Sequence, residues 1–573
     1  MNFVPDGVHR MLQLTQRVRA RTWDTQSIFD TDMSSKDYAL RPRGTSGRGT
    51  CGLSRCPSRR PSRAGTYNNS ETRSVSFLTH RTCTIKNTER GISMLKTKIV
   101  CTLGPASNSP DMIEKMIRAG MNVARLNFSH GTHEEHAEVI DRIKKARDKL
   151  GVPLAIMLDT KGPEIRIGKF AGGEAELKTG SSFTLRTGDP DLEGDENGVW
   201  ISYEDLPKQI SPGTRILLND GALELVAREV CPGEGTIVTE VTSGGTIKSG
   251  KGVNVPNVHL DMPHLSDRDK SDLIFGIEHD VDFVAASFVR CREDVTGMRK
   301  FLDYHGGHSI KIISKIENLE GVDNFAGILA ESDGIMVARG DMGVEVDFER
   351  LPGLQKRFIK ECYQSGKMVI TATQMLESMI EKPTPTRAEI SDVANAVFDG
   401  TSAVMLSGET AVGSYPLLAV RAMARIAEQA EKDAVEFDAY NDMKYVIDED
   451  DVTAALCDAA CTTARDIRAK AIVTLTTTGK SARRMSKFRP IQPIVAATPL
   501  EKTFHQLALS WGVYPVLSLR QETLERLLVH AVDCAKALDL VSPGDLVVIA
   551  AGVPVLTPGN TNLIKVEAVR GNE

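Results

Sequence analysis

From residue 94 onward the chain repeats a two-part pattern. A short run of apolar, often β-branched residues is followed by a longer stretch in which apolar positions return every three or four residues. The short runs fall at 96–103, 122–128, 154–159, 282–288, 310–316, 334–338, 368–373 and 402–406, and helical spacing is clear at 133–150 and 416–432. Strand-length runs alternating with amphipathic helices predict a parallel sheet joined by crossover helices. Eight repeats predict a closed (β/α)8 barrel, the TIM barrel, rather than an open sheet.

The rhythm breaks between the third and fourth runs. Residues 163–259 are Gly-rich and β-like, with runs at 182–186 and 214–218 and little helical periodicity. They predict a β domain, a small barrel-like cap, inserted into the larger barrel, whose two parts are then 94–162 and 260–435. Past residue 440 the alternation resumes, with helices expected at 451–468 and 524–538 and strands at 471–475 and 545–550. This predicts a C-terminal open α/β domain over 440–573. Residues 1–93 are rich in Arg, Ser, Thr and Gly without apolar periodicity, so disorder is expected there. Asp24, Asp30, Asp32 and Asp37 argue against an organelle transit peptide, which is poor in acids. A plain tail, or a stretch ahead of the true start at Met94, fits better.

Composition adds limits. At 573 residues the chain is too long for one hydrophobic core. A content of 41% hydrophobic and 25% charged residues with net charge -6 favours neither nucleic acid nor an anionic membrane as partner. The ten cysteines are scattered without a CxxC pair, which suits reduced thiols and a cytoplasmic setting. The apolar run at 545–555 falls well short of the ~20 residues a membrane helix needs.

The active site of such a barrel lies at the C-terminal ends of its strands. There the sequence places Arg125, Asn127, Ser129 and His130 after the second run, and Asp159, Thr160, Glu164 and Arg166 after the third. Lys315 and Glu317 follow the fifth, Arg339, Gly340 and Asp341 the sixth, Thr373 the seventh, and Ser407 and Glu409 the eighth. A single polar residue at a strand end is usually a helix cap or a solvated loop residue. Six such clusters at one mouth point to chemistry. Glu317 and Asp341 offer hard carboxylates without nitrogen or sulfur, which favours Mg²⁺ or Mn²⁺ over zinc. Asn127, Ser129 and Thr160 with the charge of Asp159 suit a larger monovalent cation. Arg125, Arg166 and Lys315 call for a phosphate or carboxylate substrate.

The strings MNVARLNFSHG, LDTKGPEIR, IISKIEN, VARGDMG, ITATQMLESM and MLSGETA resemble the pyruvate kinase family in order and spacing, from about Met94 to the end. Met342 stands where Leu is common after the Gly-Asp pair. The resemblance implies transfer of a phosphoryl group from phosphoenolpyruvate to ADP in the last step of glycolysis. It implies a Mg²⁺ held by Glu317 and Asp341, with a second arriving on the nucleotide, and K⁺ held by Asn127, Ser129, Asp159 and Thr160. By the same resemblance Arg125 grips the phosphate, the backbone of Ala338, Gly340 and Asp341 the carboxylate, and Lys315 acts as an electrostatic clamp. Thr373 is placed near the carbon that receives a proton, through a water relay with Ser407 and Glu409. Thr102, Asn127, His130, Arg166 and Lys251 match nucleotide contacts, with Lys251 brought in by closure of the inserted domain. Glu164 matches the position that accompanies potassium dependence. A homotetramer is also implied.

In the C-terminal domain Thr476, Thr477, Thr478, Gly479, Lys480 and Ser481 lie between an expected strand and helix. Hydroxyls, N–H groups and a cation there suit a phosphorylated allosteric effector, although helix capping alone also places Ser and Thr in such a loop. Two rivals fare worse. A Mg²⁺-dependent carbon–carbon lyase would not need the monovalent-cation set or Lys251. A silent nucleotide sensor would be expected to have lost Lys315, Glu317, Asp341 or Thr373.

Overall fold

The computed structural model describes residues 94–573 apart from 438, 441–444, 446, 448–450, 555–560 and 572–573. The expectation for 1–93 lies outside the described residues. Eight parallel strands close into a barrel: Lys98–Thr102, Met121–Asn127, Ala155–Asp159, Phe283–Ala286, Lys311–Ile316, Gly334–Ala338, Met368–Ala372 and Ala403–Leu406. All eight predicted runs are strands, displaced at their ends by at most a few residues. The strands are buried on both faces, as expected of a sheet lined outside by helices. One face packs on the surrounding helices. The other fills the barrel with Val100, Val123, Met157, Phe283, Ile313, Met336, Ile370 and Met405, closed by Leu509 from the C-terminal domain.

The crossover helices start where the sequence supplies caps. Thr132 and Glu135, Ser266 and Asp269, and Thr386 and Glu389 form reciprocal capping boxes at His133–Leu150, Asp267–Glu278 and Arg387–Phe398. His133–Leu150 then ends on Gly151 in the left-handed conformation.

The insertion is a seven-stranded sheet running from Ile165–Arg166 to Gly252–Asn254 in chain order, with its own apolar core. Its two edges meet: Ile167 bridges Ile201, Gly168 N–H donates to the Trp200 carbonyl at 2.7 Å, and Ser202 N–H to that of Arg166 at 2.9 Å. The sheet therefore curls on itself as a barrel-like cap. The C-terminal domain is a five-stranded sheet, parallel except for its last strand, Leu563–Ala568. It is tied to the barrel by Gln506, whose amide donates to the carbonyls of Asp282 (3.1 Å) and Ser309 (2.7 Å). Among the described residues no helix is long and apolar enough to cross a membrane.

Candidate active site

Strand alternation builds the barrel mouth. Side chains two residues apart share a face, so the residue two beyond an inward core residue also points inward, one layer higher. Val100 is followed by Thr102, Val123 by Arg125, Met157 by Asp159, Ala285 by Ser287, Ile313 by Lys315 and Met405 by Ser407. An apolar barrel is thus topped by a polar ring.

The ring is organised around Lys315. Its ammonium lies 3.1 Å from Asp159 Oδ1 and 2.8 Å from Glu317 Oε1, and donates to Ser287 Oγ at 2.7 Å. Ser287 in turn donates to the Thr160 carbonyl at 2.6 Å. Arg125 Nε meets Asp159 Oδ2 at 2.6 Å and its Nη1 donates to Thr102 Oγ1 at 2.8 Å. Burial disfavours the charge on Lys315, but Asp159 and Glu317 outweigh it and hold the ammonium above its ordinary range. Burial likewise opposes the Asp159 carboxylate, and Arg125 and Lys315 hold it below its usual value. Both cations are therefore fixed in place, and the Lys315 ammonium keeps its charge.

Glu317 is 0% exposed. Its Oε2 accepts from Phe288 N–H at 2.6 Å, while Oε1 meets Lys315 off the line of a hydrogen bond and has no other partner. Burial and the nearby charge of Asp341 push its carboxyl up to about 7. A buried carboxylate oxygen without a hydrogen-bond donor, beside a second carboxylate, fits a divalent cation. Among the described residues no group of three or more His, Cys, Asp or Glu side chains is arranged to hold a metal. An ion held by Glu317 and Asp341 would thus take further ligands from substrate and water, as Mg²⁺ does. The residues fit.

The monovalent-cation set is gathered where the second and third strands end, with Asn127 directly opposite Asp159. Asn127 Oδ1 accepts from Ser129 N–H at 3.2 Å, and Thr160 Oγ1 accepts from Ser287 N–H at 3.1 Å. Neutral oxygens dominate there, which fits a large, weakly hydrated cation.

Thr373 has φ +67° and Gln374 φ +55°. For a β-branched residue this left-handed backbone is a strained state that its surroundings must hold. Arg339 does so. Its Nη2 donates to the Thr373 carbonyl at 2.6 Å, and its Nη1 grips Asp392 at 2.8 and 2.7 Å. Thr373 Oγ1 accepts from Gly340 N–H at 2.7 Å. That N–H, expected to be open to an anion, is thus engaged with Thr373. Asp392→Ala should free the guanidinium and let Thr373 relax. The expected result is a loss of about 100-fold in kcat, the scale of an ångström's misplacement, with KM for the anionic substrate within about twofold. Steady-state kinetics on the folded variant check this, and an unchanged kcat would refute the positioning role.

Glu409 has a structural task in this arrangement. Its carboxylate accepts from the N–H groups of Leu376 (3.1 Å) and Ser407 (2.7 Å), pinning the loop after Thr373 to the eighth strand end. Ser407 Oγ is buried without a partner.

A cleft of about 350 Å³ opens between the inserted domain and the barrel, lined by Glu164, Asn254, Phe288, Asn318, Asp341 and Glu345. Asn254 reaches across to Glu345 at 2.8 Å. Arg166 pairs with Glu164 at 2.8 Å and donates to the Gly250 carbonyl at 2.8 Å, which ties it to the loop carrying Lys251. His130 is exposed at the same end of the barrel. Gly162 is required here for space as well as for its φ of +72°: a Cβ would sit 2.9 Å from that of Ser287.

The loop 476–481 is a strand-to-helix turn with Gly479 at φ +77° and the helix Lys480–Lys487 after it. Thr476 Oγ1 accepts from Gly479 N–H at 2.9 Å, and Ser481 Oγ accepts from Thr561 at 2.9 Å. Those two hydroxyls are committed internally. Thr477, Thr478 and Lys480 are exposed and keep the character of an anion cradle.

Sequence reading missed Ser287, Phe288 and the Arg339–Asp392 pair. Ser287 could have been found as the polar residue directly after the fourth strand, but it carries no charge to draw attention.

Comparison with known proteins agrees with this geometry. A family model described as "Pyruvate kinase, barrel domain" matches residues 94–420, and one described as "Pyruvate kinase, alpha/beta domain" matches 454–567. The protein named pyruvate kinase from Clostridium acetobutylicum is 49% identical over 477 residues, covering 83% of this chain and 100% of the relative. Those from Geobacillus stearothermophilus and Staphylococcus aureus (strain USA300) are 48% and 46% identical over 474 and 476 residues, covering 83% of this chain and 80% and 81% of theirs.

Proposed function

The chain belongs to the pyruvate kinase family, and from that premise we propose how its barrel mouth moves the phosphoryl group of phosphoenolpyruvate onto ADP to give pyruvate and ATP. The observation that carries the proposal is the buried Lys315 ammonium, held between Asp159 and Glu317 at the centre of the polar ring. Phosphoryl transfer needs positioned charge more than covalent chemistry. Arg125, braced by Asp159 and Thr102, receives the phosphate of phosphoenolpyruvate. The first turn of Arg339–Glu345, with Ala338 before it, receives the substrate carboxylate through its favourable dipole and its N–H groups other than that of Gly340, which Thr373 holds. Lys315 stabilises charge on the migrating group and on the enolate left behind. When bound, Mg²⁺ at Glu317 and Asp341 and K⁺ at Asn127, Ser129, Asp159 and Thr160 supply Lewis-acid and charge neutralisation of the same oxygens. Thr373 hands a proton to the enolate carbon, recharged through water because a threonine hydroxyl is a weak acid.

ADP lies along Thr102, Asn127, His130 and Arg166, and Lys251 reaches it from the inserted domain. The link from Arg166 to the Gly250 carbonyl supports joint movement of these two cations as the cap closes. The loop 476–481 takes a phosphorylated effector through its exposed members. A cytoplasmic homotetramer completes the reading by family resemblance.

Glu164 carries a separate test. Paired to Arg166, it leaves the mouth without the extra fixed cation that a lysine at this position would supply. Pyruvate formation, followed by a coupled dehydrogenase, should be at least about tenfold faster with KCl than with tetramethylammonium chloride, or roughly 1.4 kcal/mol in barrier. Equal rates in the two salts would remove K⁺ from the account.

A further inference from the structure

Taking Glu317 as a ligand of the divalent ion, as proposed above, we infer that Arg290 is a positioning residue for that site. It locks the strand by which the chain leaves the inserted domain to the short segment that orients Glu317. Arg290 Nη1 donates to the Leu260 carbonyl at 2.8 Å and Nη2 to that of Met262 at 2.7 Å. The side chains of Leu260 and Met262 pack on the apolar core of the inserted domain. Arg290 itself belongs to the barrel, just past the strand Phe283–Ala286. Asp294 fixes it there, accepting from its backbone N–H at 2.9 Å and meeting its Nε at 3.4 Å. One guanidinium thus spans two carbonyls of the cap's exit, a fork that a lysine does not reproduce.

The neighbours of Arg290 give this clamp its consequence. Phe288 N–H donates to Glu317 Oε2 at 2.6 Å, and Phe288 has φ +54°. For an aromatic residue this left-handed backbone is strained and persists only where its surroundings hold it. Arg290 secures one side. On the other, Ser287 accepts from Lys315 at 2.7 Å and donates from its Oγ to the Thr160 carbonyl at 2.6 Å. Its N–H donates to Thr160 Oγ1 at 3.1 Å, and its carbonyl accepts from the buried His264 at 3.1 Å. Thr160 opens the chain's entry into the inserted domain, where Gly162 N–H donates to the buried Asp269 at 3.0 Å. Entry and exit therefore converge on residues 287–290. A shift of the cap moves Leu260 and Met262, Arg290 passes it to Phe288, and the Phe288 N–H carries it to the carboxylate. Partners behind a ligating group are worth about ten- to a hundredfold in metal affinity.

The test uses Arg290→Lys, which keeps a cation beside Asp294 but reaches only one of the two carbonyls, with Glu317→Gln beside it. In the intact, metal-free protein, hydrogen exchange read by mass spectrometry should be at least about tenfold faster at Phe288 in Arg290→Lys, with Tm and the barrel helices little changed. Mn²⁺ affinity, by electron paramagnetic resonance, should fall about tenfold. A residue that merely fastens the linker would loosen 258–264 alone. Exchange at Phe288 staying at the parent rate would therefore overturn the inference. Parent Mn²⁺ affinity in Arg290→Lys, with the ion lost in Glu317→Gln, would overturn it as well. If Glu317→Gln also bound Mn²⁺ as the parent does, Glu317 would not be the ligand, and the inference would fall with that reading.

Discussion

Lys315→Met is expected to lower kcat for phosphoryl transfer by about a thousandfold, the upper range for removing one preorganised charge stabiliser. The methionine fills similar volume, so the loss is of charge rather than of packing. It also leaves Asp159 and Glu317 buried without the ammonium between them. Breaking a buried ion pair by deleting one partner costs about 3 kcal/mol or more. Asp159 keeps Arg125, and Glu317 can take up a proton, which holds the penalty at the low end. A folded variant with lowered Tm, nearly unchanged nucleotide affinity and a collapsed kcat is the expected combination. If kcat stayed within tenfold of the parent protein, Lys315 would be only a strut for the two carboxylates.

Glu317→Gln should have a comparable effect by another route. The amide keeps the shape and can still accept from Phe288 N–H, but it removes the charge that would meet a divalent ion. A loss of about a thousandfold in kcat is expected, a few kcal/mol of charge stabilisation. The titration of Glu317 adds a diagnostic. Its carboxyl sits at about 7 in the metal-free protein because of burial and Asp341. Metal needs the carboxylate, so protons compete below that value. Mn²⁺ affinity, measured by electron paramagnetic resonance, should fall about tenfold per pH unit below pH 7 and level off above it. In Glu317→Gln affinity should be weak and the slope largely gone. The parent slope surviving in the variant would place the metal elsewhere.

The sequence showed much of this in advance, for physical reasons. Buried parallel strands must be continuous apolar runs, so all eight barrel strands were readable, and Gly334–Ala338 had both ends right. Glu317 and Asp341 were legible because two carboxylates at adjacent strand ends have few structural uses. Arg339 and Asp392 were not paired in advance, because they lie 53 residues apart and meet only once the sixth strand and the helix Arg387–Phe398 pack together. The left-handed backbone at Thr373 left no local trace, since threonine has no preference for it. Closure of the inserted sheet rests on one edge contact, Ile167 with Ile201, that strand patterns alone do not reveal. The loop 476–481 was legible as a turn before a helix, but which hydroxyls are spent internally depended on Thr561, some eighty residues away.

The most direct measurement is phosphorus NMR of the purified protein with phosphoenolpyruvate, ADP, Mg²⁺ and K⁺. The account predicts that the phosphoenolpyruvate resonance disappears as those of ATP grow in one for one, that chelating the Mg²⁺ stops it, and that Glu317→Gln is silent on the same timescale. Unchanged phosphoenolpyruvate, or its loss to inorganic phosphate without ATP, would contradict the account.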